Sequence, residues 1–306
     1  MHKPEHVIQQ GNQSLMMPHI QTVKSLISLT KPTAVAMIVL VTAAGFTLAV
    51  ITEQGSLSHY MIKLFFTCLL VGCSSGGAFA LNQYLERHID AKMPRVSNRA
   101  LPSGRLKPLT ALIFGLTFLI VPILMLGVLV TPMCALLTFL CGSLYVWAYT
   151  PLKTRSSMST FVGAIPGALL PLMGWVAVSN QLNLIILYPV ALLFVWQAPH
   201  ALVIAIKYKD DYSRAGMKQL PLIAGTETGY RAIFFSTFLT GILSFFPVFW
   251  ATSYKLFFII TFCLLLAGTF LAALMWIEKS AKFLNLYFSF NLISLPIYLL
   301  LFISSL

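Results

Sequence analysis

Residues 81–90 read Leu81-Asn82-Gln83-Tyr84-Leu85-Glu86-Arg87-His88-Ile89-Asp90, and they close an apolar stretch, 62–82, long enough to cross a bilayer. Asn82, Glu86 and Asp90 recur at i, i+4 and i+8. At about 100° per residue, a helix holds all three within roughly 80° of one face, while Arg87 and His88 point elsewhere. A column of hard oxygen ligands at a membrane surface suits Mg²⁺. That ion takes one or two protein carboxylates and leaves other positions to water and substrate phosphate. The plainer alternative is that Glu86 and Asp90 pair with Arg87 or Arg95.

The rest of the chain agrees with a membrane setting. Of 306 residues, 58% are hydrophobic and only 9% charged, against about 25% charged in soluble domains. The mean hydropathy is +0.86. This excludes a soluble enzyme, a disordered protein and a secreted disulfide scaffold. The five cysteines lie in apolar stretches without metal spacing, as packing thiols do. Residues 1–24 are polar, with neither an apolar core nor a cleavage site, so no cleaved signal peptide is expected. They read as a polar cytoplasmic N-terminal tail ahead of a single polytopic domain, 25–306.

Nine stretches qualify as spans: 33–51, 62–82, 108–129, 132–150, 160–178, 183–205, 232–252, 256–276 and 285–304. With the N-terminus cytoplasmic, 18 of the 20 Lys and Arg fall inside, and only Lys63 and Lys255 outside. That bias sets orientation and explains the net charge of +12 without nucleic acid. The C-terminus then faces the opposite side. Long cytoplasmic loops follow the second and the sixth span, each opening on acids. The expected fold is therefore all-α, with two similar four-helix halves plus a ninth helix.

The second long loop reads Lys207-Tyr208-Lys209-Asp210-Asp211-Tyr212. Adjacent carboxylates repel unless cations intervene. Either Lys207, Lys209 and Arg214 neutralise them, or they form a second metal position opposite the first. Four of the chain's eight acids thus make two clusters on one side. Nearby, Arg95, Arg99 and Lys153 suit phosphate, Arg as a bidentate fork and Lys as a point charge.

The run Asn82-x-x-x-Glu86-x-x-x-Asp90-x-x-x-x-Arg95-x-x-x-Arg99-x-Leu101-Pro102 resembles the first motif of the UbiA-type membrane prenyltransferases, although Glu86 stands where most of them have Asp. Tyr149-x-x-x-Lys153 resembles their tyrosine–lysine element. Further stretches resemble the haem O synthase (protohaem IX farnesyltransferase) branch. They are Leu29-Thr30-Lys31-Pro32, Gly163–Ala168 with Pro171–Trp175, and Trp196-Gln197-Ala198-Pro199-His200 leading to Asp210-Asp211-Tyr212. The resemblance covers about residues 24–304.

It implies farnesyl transfer from farnesyl diphosphate to the 2-vinyl group of haem b. Water then adds to give haem O, in a bacterial inner membrane, with a haem A synthase acting downstream. It also implies that Asn82, Glu86, Asp90, Asp210 and Asp211 hold Mg²⁺. Arg95, Arg99, Tyr149 and Lys153 would bind diphosphate, and His200, the single histidine inside an expected span, would touch haem as ligand or orienting group. Haem b is substrate here, not cofactor. Two alternatives stay open: a UbiA-type enzyme acting on an aromatic quinone precursor, and a transporter. The second fits less well, because transporters place ionisable groups near the midplane. Gly72-x-x-x-Gly76 and Gly163-x-x-x-Gly167 lie inside spans and read as helix contacts.

Overall fold

The computed structural model describes residues 18–249 and 254–305. Residues 1–17, with Lys3 and most of the expected tail, lie outside the described residues, as do 250–253 in the expected seventh span. Residues 18–24 of that tail belong to a helix, α1 (Pro18–Leu29).

The first half comprises α2 (Pro32–Thr52), α3 (Leu57–Asp90), α4 (Pro108–Leu129) and α5 (Pro132–Ser143). α5 continues through a π-helical turn, Leu144–Tyr149, into α6 (Thr150–Leu152). Then follow α7 (Ser159–Ala168), α8 (Leu170–Val176), α9 (Leu184–Lys207), α10 (Lys209–Arg214), α11 (Leu220–Ile223) and α12 (Thr226–Leu243). A 3₁₀ turn at Phe246–Phe249 precedes α13 (Tyr254–Glu278) and α14 (Ala281–Ser305). No strand occurs among the described residues.

Eight helical runs among the described residues are long and apolar enough to cross a membrane. They coincide with the first six, the eighth and the ninth expected spans. The seventh stretch is carried by α12, which opens on the polar Thr226-Glu227-Thr228 and includes Arg231; its remainder runs into residues 250–253. The count of nine therefore stands as an expectation.

α3 decides where the chemistry sits. It has 34 residues, about 50 Å at 1.5 Å each, whereas the hydrocarbon core takes about 30 Å. Its last turns must project beyond the apolar layer. Residues 83–90, expected in a loop, are thus its final two turns.

Small residues set the tightest contacts. A Cβ on Gly45 of α2 would lie 1.9 Å from the Pro171 carbonyl oxygen, and one on Gly174 of α8 would lie 1.9 Å from that of Thr42. Only glycine lets these backbones touch. The two glycine pairs also face neighbours, Gly72 toward Val39, Gly76 toward Thr30, Gly163 toward Tyr149 and Gly167 toward Gln197. α14 packs against α13, α9 and α2, which returns the last helix to the first span. The largest apolar cluster includes Phe46, Leu126, Trp175 and Leu192.

Candidate active site

Asn82, Glu86 and Asp90 are all buried, at 1%, 4% and 1% exposure. Charges so placed need partners. The Lys153 Nζ donates to Glu86 Oε1 at 2.7 Å, and the Arg99 Nη1 donates to Asp90 Oδ2 at 2.7 Å. Asn82 Nδ2 donates to Thr150 Oγ1 at 3.0 Å, and Asn82 Oδ1 accepts from Lys31 Nζ at 3.4 Å. The column therefore meets a facing row of donors. Arg87, an alternative partner on sequence grounds, donates instead to the Tyr84 carbonyl and stacks on the Tyr84 ring.

The π-helical turn aims that row. Its i→i+5 pattern keeps residues four apart nearly in line. Tyr145 and Tyr149 tilt against each other at 5.4 Å, and the Lys153 ammonium lies 4.6 Å over the Tyr149 ring. Gly163 makes room for that ring: a Cβ there would sit 2.6 Å from Tyr149 Cε2. Burial opposes the charge on Lys153, but Tyr149 and Glu86 around it hold its pKa above the ordinary lysine value.

Lys31 was not assigned a role from the sequence, and the structure puts it in the site. It joins α1 to α2 in a left-handed conformation, φ 50°, and the following Pro32 disfavours the ordinary helical alternative. Its ammonium reaches Asn82 and lies 4.9 Å over the Phe79 ring. Burial, then Lys153 and Arg99, lower its pKa to about 7. Its sequence signals were its place before a proline at a span start and the Leu29-Thr30-Lys31-Pro32 stretch that carries part of the resemblance. Thr150, which anchors Asn82, gave no signal.

The second loop lies across the first. Met93 and Val96 pack with Ala215 and Met217, while Ile89 and Tyr212 flank them. The Lys218 N–H donates to the Lys153 carbonyl at 2.8 Å. This brings Asp211 to 3.9 Å from Arg95 and 2.6 Å from Arg214. Arg95 also stacks on the Tyr208 ring at 4.2 Å. Asp210 is exposed and takes no part in these ion pairs. Beside the column, Ser28, Lys31, Gln83, Arg95, Arg99 and Arg105 help line a cavity of about 340 Å³, with no carboxylate in its wall.

Among the described residues, no three His, Cys, Asp or Glu side chains gather closely enough to make a closed metal cage. That donor set still fits Mg²⁺. The ion prefers one or two carboxylates with phosphate and water completing its shell, and the groups here are hard oxygens in clusters of two. Each of Glu86, Asp90 and Asp211 faces a cation that an arriving phosphate would draw away.

His200 lies on α9, away from these pairs. Its ring stacks on Trp196 at 4.9 Å and 17° and on Phe288 at 5.7 Å and 26°. Its Nδ1 lies 3.0 Å from Asn291 Oδ1.

A model of the UbiA prenyltransferase family matches residues 38–295. The chain is 38% identical over 209 residues to a protein named protoheme IX farnesyltransferase from Anaeromyxobacter sp. (strain Fw109-5), covering 68% of this chain and 69% of that one. It is 42% identical over 203 residues to one so named from Myxococcus xanthus, covering 66% and 67%. Among solved structures, a digeranylgeranylglyceryl phosphate synthase superposes with a TM-score of 0.74 at 17% identity, over 93% of this chain and 98% of that one. A UbiA homologue from Archaeoglobus fulgidus, bound to DMAPP and Mg²⁺, superposes with a TM-score of 0.67 at 17% identity, over 92% and 100%.

Proposed function

The chain belongs to the UbiA prenyltransferase family and is a multi-pass membrane prenyltransferase, and from that premise we propose that it transfers farnesyl from farnesyl diphosphate to the 2-vinyl group of haem b, with water addition, to give haem O. The observation that carries this is the facing of the buried column by Lys153 and Arg99 at 2.7 Å each. Such paired charges stabilise a fold poorly compared with apolar packing. They are well placed to exchange partners with a diphosphate.

Diphosphate leaves only when its charge is met. Asn82, Glu86 and Asp90, with Asp210 and Asp211, would hold Mg²⁺, which when bound would supply part of that charge. Lys153, Arg99, Arg95 and Lys31 donate hydrogen bonds to the phosphate oxygens as negative charge grows on them. Tyr149 backs Lys153. The allylic carbon left behind would face the Tyr145 and Tyr149 rings, whose π-faces favour positive charge.

The choice of haem is supported by the named relatives and by the stacked Trp196, His200 and Phe288 rings, which hold an imidazole in a fixed orientation for a metalloporphyrin. Lys207 lies seven residues beyond His200, on the same face of α9, and reaches over the Phe288 ring at 5.1 Å. It offers a cation to a propionate. The charge bias supports a site on the cytoplasmic side, and the named relatives support a bacterial inner membrane; diphosphate would then be released to water.

The test is direct. Purified protein in lipid nanodiscs, given haem b, farnesyl diphosphate and Mg²⁺, should yield a porphyrin heavier by one farnesyl and one hydroxyl group, read by mass spectrometry. A product formed from 4-hydroxybenzoate and none from haem b would overturn the assignment.

A further inference from the structure

A run of hydrogen bonds buried between α9, α12 and α14 has no part in holding diphosphate, and its donors can be ordered by counting protons. The Thr237 hydroxyl donates to the Ile233 carbonyl at 2.7 Å. A hydroxyl has one hydrogen, so toward the Tyr287 phenol, its close partner, Thr237 can only accept. Tyr287 therefore donates to Thr237. One helical turn further along α14, Asn291 sets its Oδ1 3.0 Å from His200 Nδ1. Oδ1 is an acceptor only, so Nδ1 of His200 carries the proton and Nε2 keeps its lone pair.

The backbone of Asn291 adds to this. Its carbonyl accepts from Trp196 Nε1 at 3.0 Å and from Ser294 Oγ at 3.0 Å. One residue thus sets both Trp196 and His200. Asn291 is 4% exposed, while His200 is half-buried. The imidazole stacks on Trp196 and on Phe288, and Asn291 occupies its Nδ1. Nε2 lies on the opposite edge of this half-buried ring.

We propose that Asn291 is a positioning residue for the haem substrate: it fixes His200 as the Nδ1–H tautomer and presents Nε2 as an axial ligand to haem iron. This rests on the haem reading above. An imidazole whose Nδ1–H is hydrogen-bonded is held in orientation and made a stronger base at Nε2. Iron ligation would hold the porphyrin without consuming the histidine. No bond in the reaction is made or broken at His200.

The experiment compares haem b with metal-free protoporphyrin IX, titrated into the full-length protein in nanodiscs and followed by absorption and electron paramagnetic resonance. Wild type should show an imidazole-ligated haem spectrum. His200→Gly should lose it, and free imidazole should restore it. Asn291→Leu should weaken haem b about 10–100-fold, as loss of a ligand's hydrogen-bond partner typically does, and leave protoporphyrin IX binding unchanged. Asn291→Asp, which keeps the acceptor, should retain the ligated spectrum. Equal losses for both porphyrins in Asn291→Leu would reduce Asn291 to a packing role and overturn the proposal. So would an unchanged spectrum in His200→Gly, with the haem reading intact. Binding of neither porphyrin to wild type would overturn both.

Discussion

The two acid clusters face the same mouth but are built differently. Asn82, Glu86 and Asp90 ride the last two turns of a 34-residue helix, each at most 4% exposed, and each has a dedicated donor. Asp210 and Asp211 lie in the first turn of a six-residue helix. The Asp211 side chain is 12% exposed and meets the exposed Arg95 and Arg214, while Asp210 is exposed and has none of these ion pairs. A rigid, buried column fixes its oxygens in place, whereas the second cluster and its donors reach into high dielectric, where each charge counts for less. The first cluster should therefore carry most of the electrostatic stabilisation and the second should adjust it.

That contrast can be broken in graded steps. Chelation by EDTA removes the ion common to both clusters and should abolish haem O formation, with Mg²⁺ restoring it; activity surviving chelation would remove the metal from the account. Asp90→Asn should lower kcat by roughly 10²–10³-fold, the scale of losing one preorganised electrostatic contact, while the protein still inserts and superposes by circular dichroism. Lys153→Met removes the partner of buried Glu86, and breaking such a pair typically costs about 3–5 kcal/mol. Its midpoint of thermal unfolding should fall, and its KM for farnesyl diphosphate should rise. Asp211→Asn should cost about tenfold, between the buried and exposed limits. Asp210→Asn should cost least, within roughly fivefold, the range of an exposed charge. An Asp210→Asn defect as large as that of Asp90→Asn would show that the clusters are equivalent and that the surface helix closes down in the complex.

Part of this site could be read in the chain itself. The i, i+4, i+8 spacing of Asn82, Glu86 and Asp90 specified a shared face because helical geometry is local. The span boundaries followed from apolar length, and helices found at Pro32–Thr52, Pro108–Leu129 and Leu184–Lys207 lie close to the expected stretches. Lys31 was harder. Its backbone position is marked by Pro32, but its reach to Asn82 crosses 51 residues. The partner of Glu86 was likewise not Arg87, the neighbour in sequence, but Lys153, 67 residues away. Helix geometry turns Arg87 away from Glu86, but nothing local names Lys153 as the partner.

By itself, then, the sequence determined the class of molecule, the span order, the oxygen column and the basic side, since each depends on composition or on the period of one helix. The tertiary structure decided the pairings. A π-helical turn carried Lys153 onto Glu86, a glycine at 163 admitted the Tyr149 ring, and α14 brought Asn291 to His200 across 91 residues. Those contacts depend on which helices pack together and how closely, and side-chain periodicity carries no information about the partner on the other side of the interface.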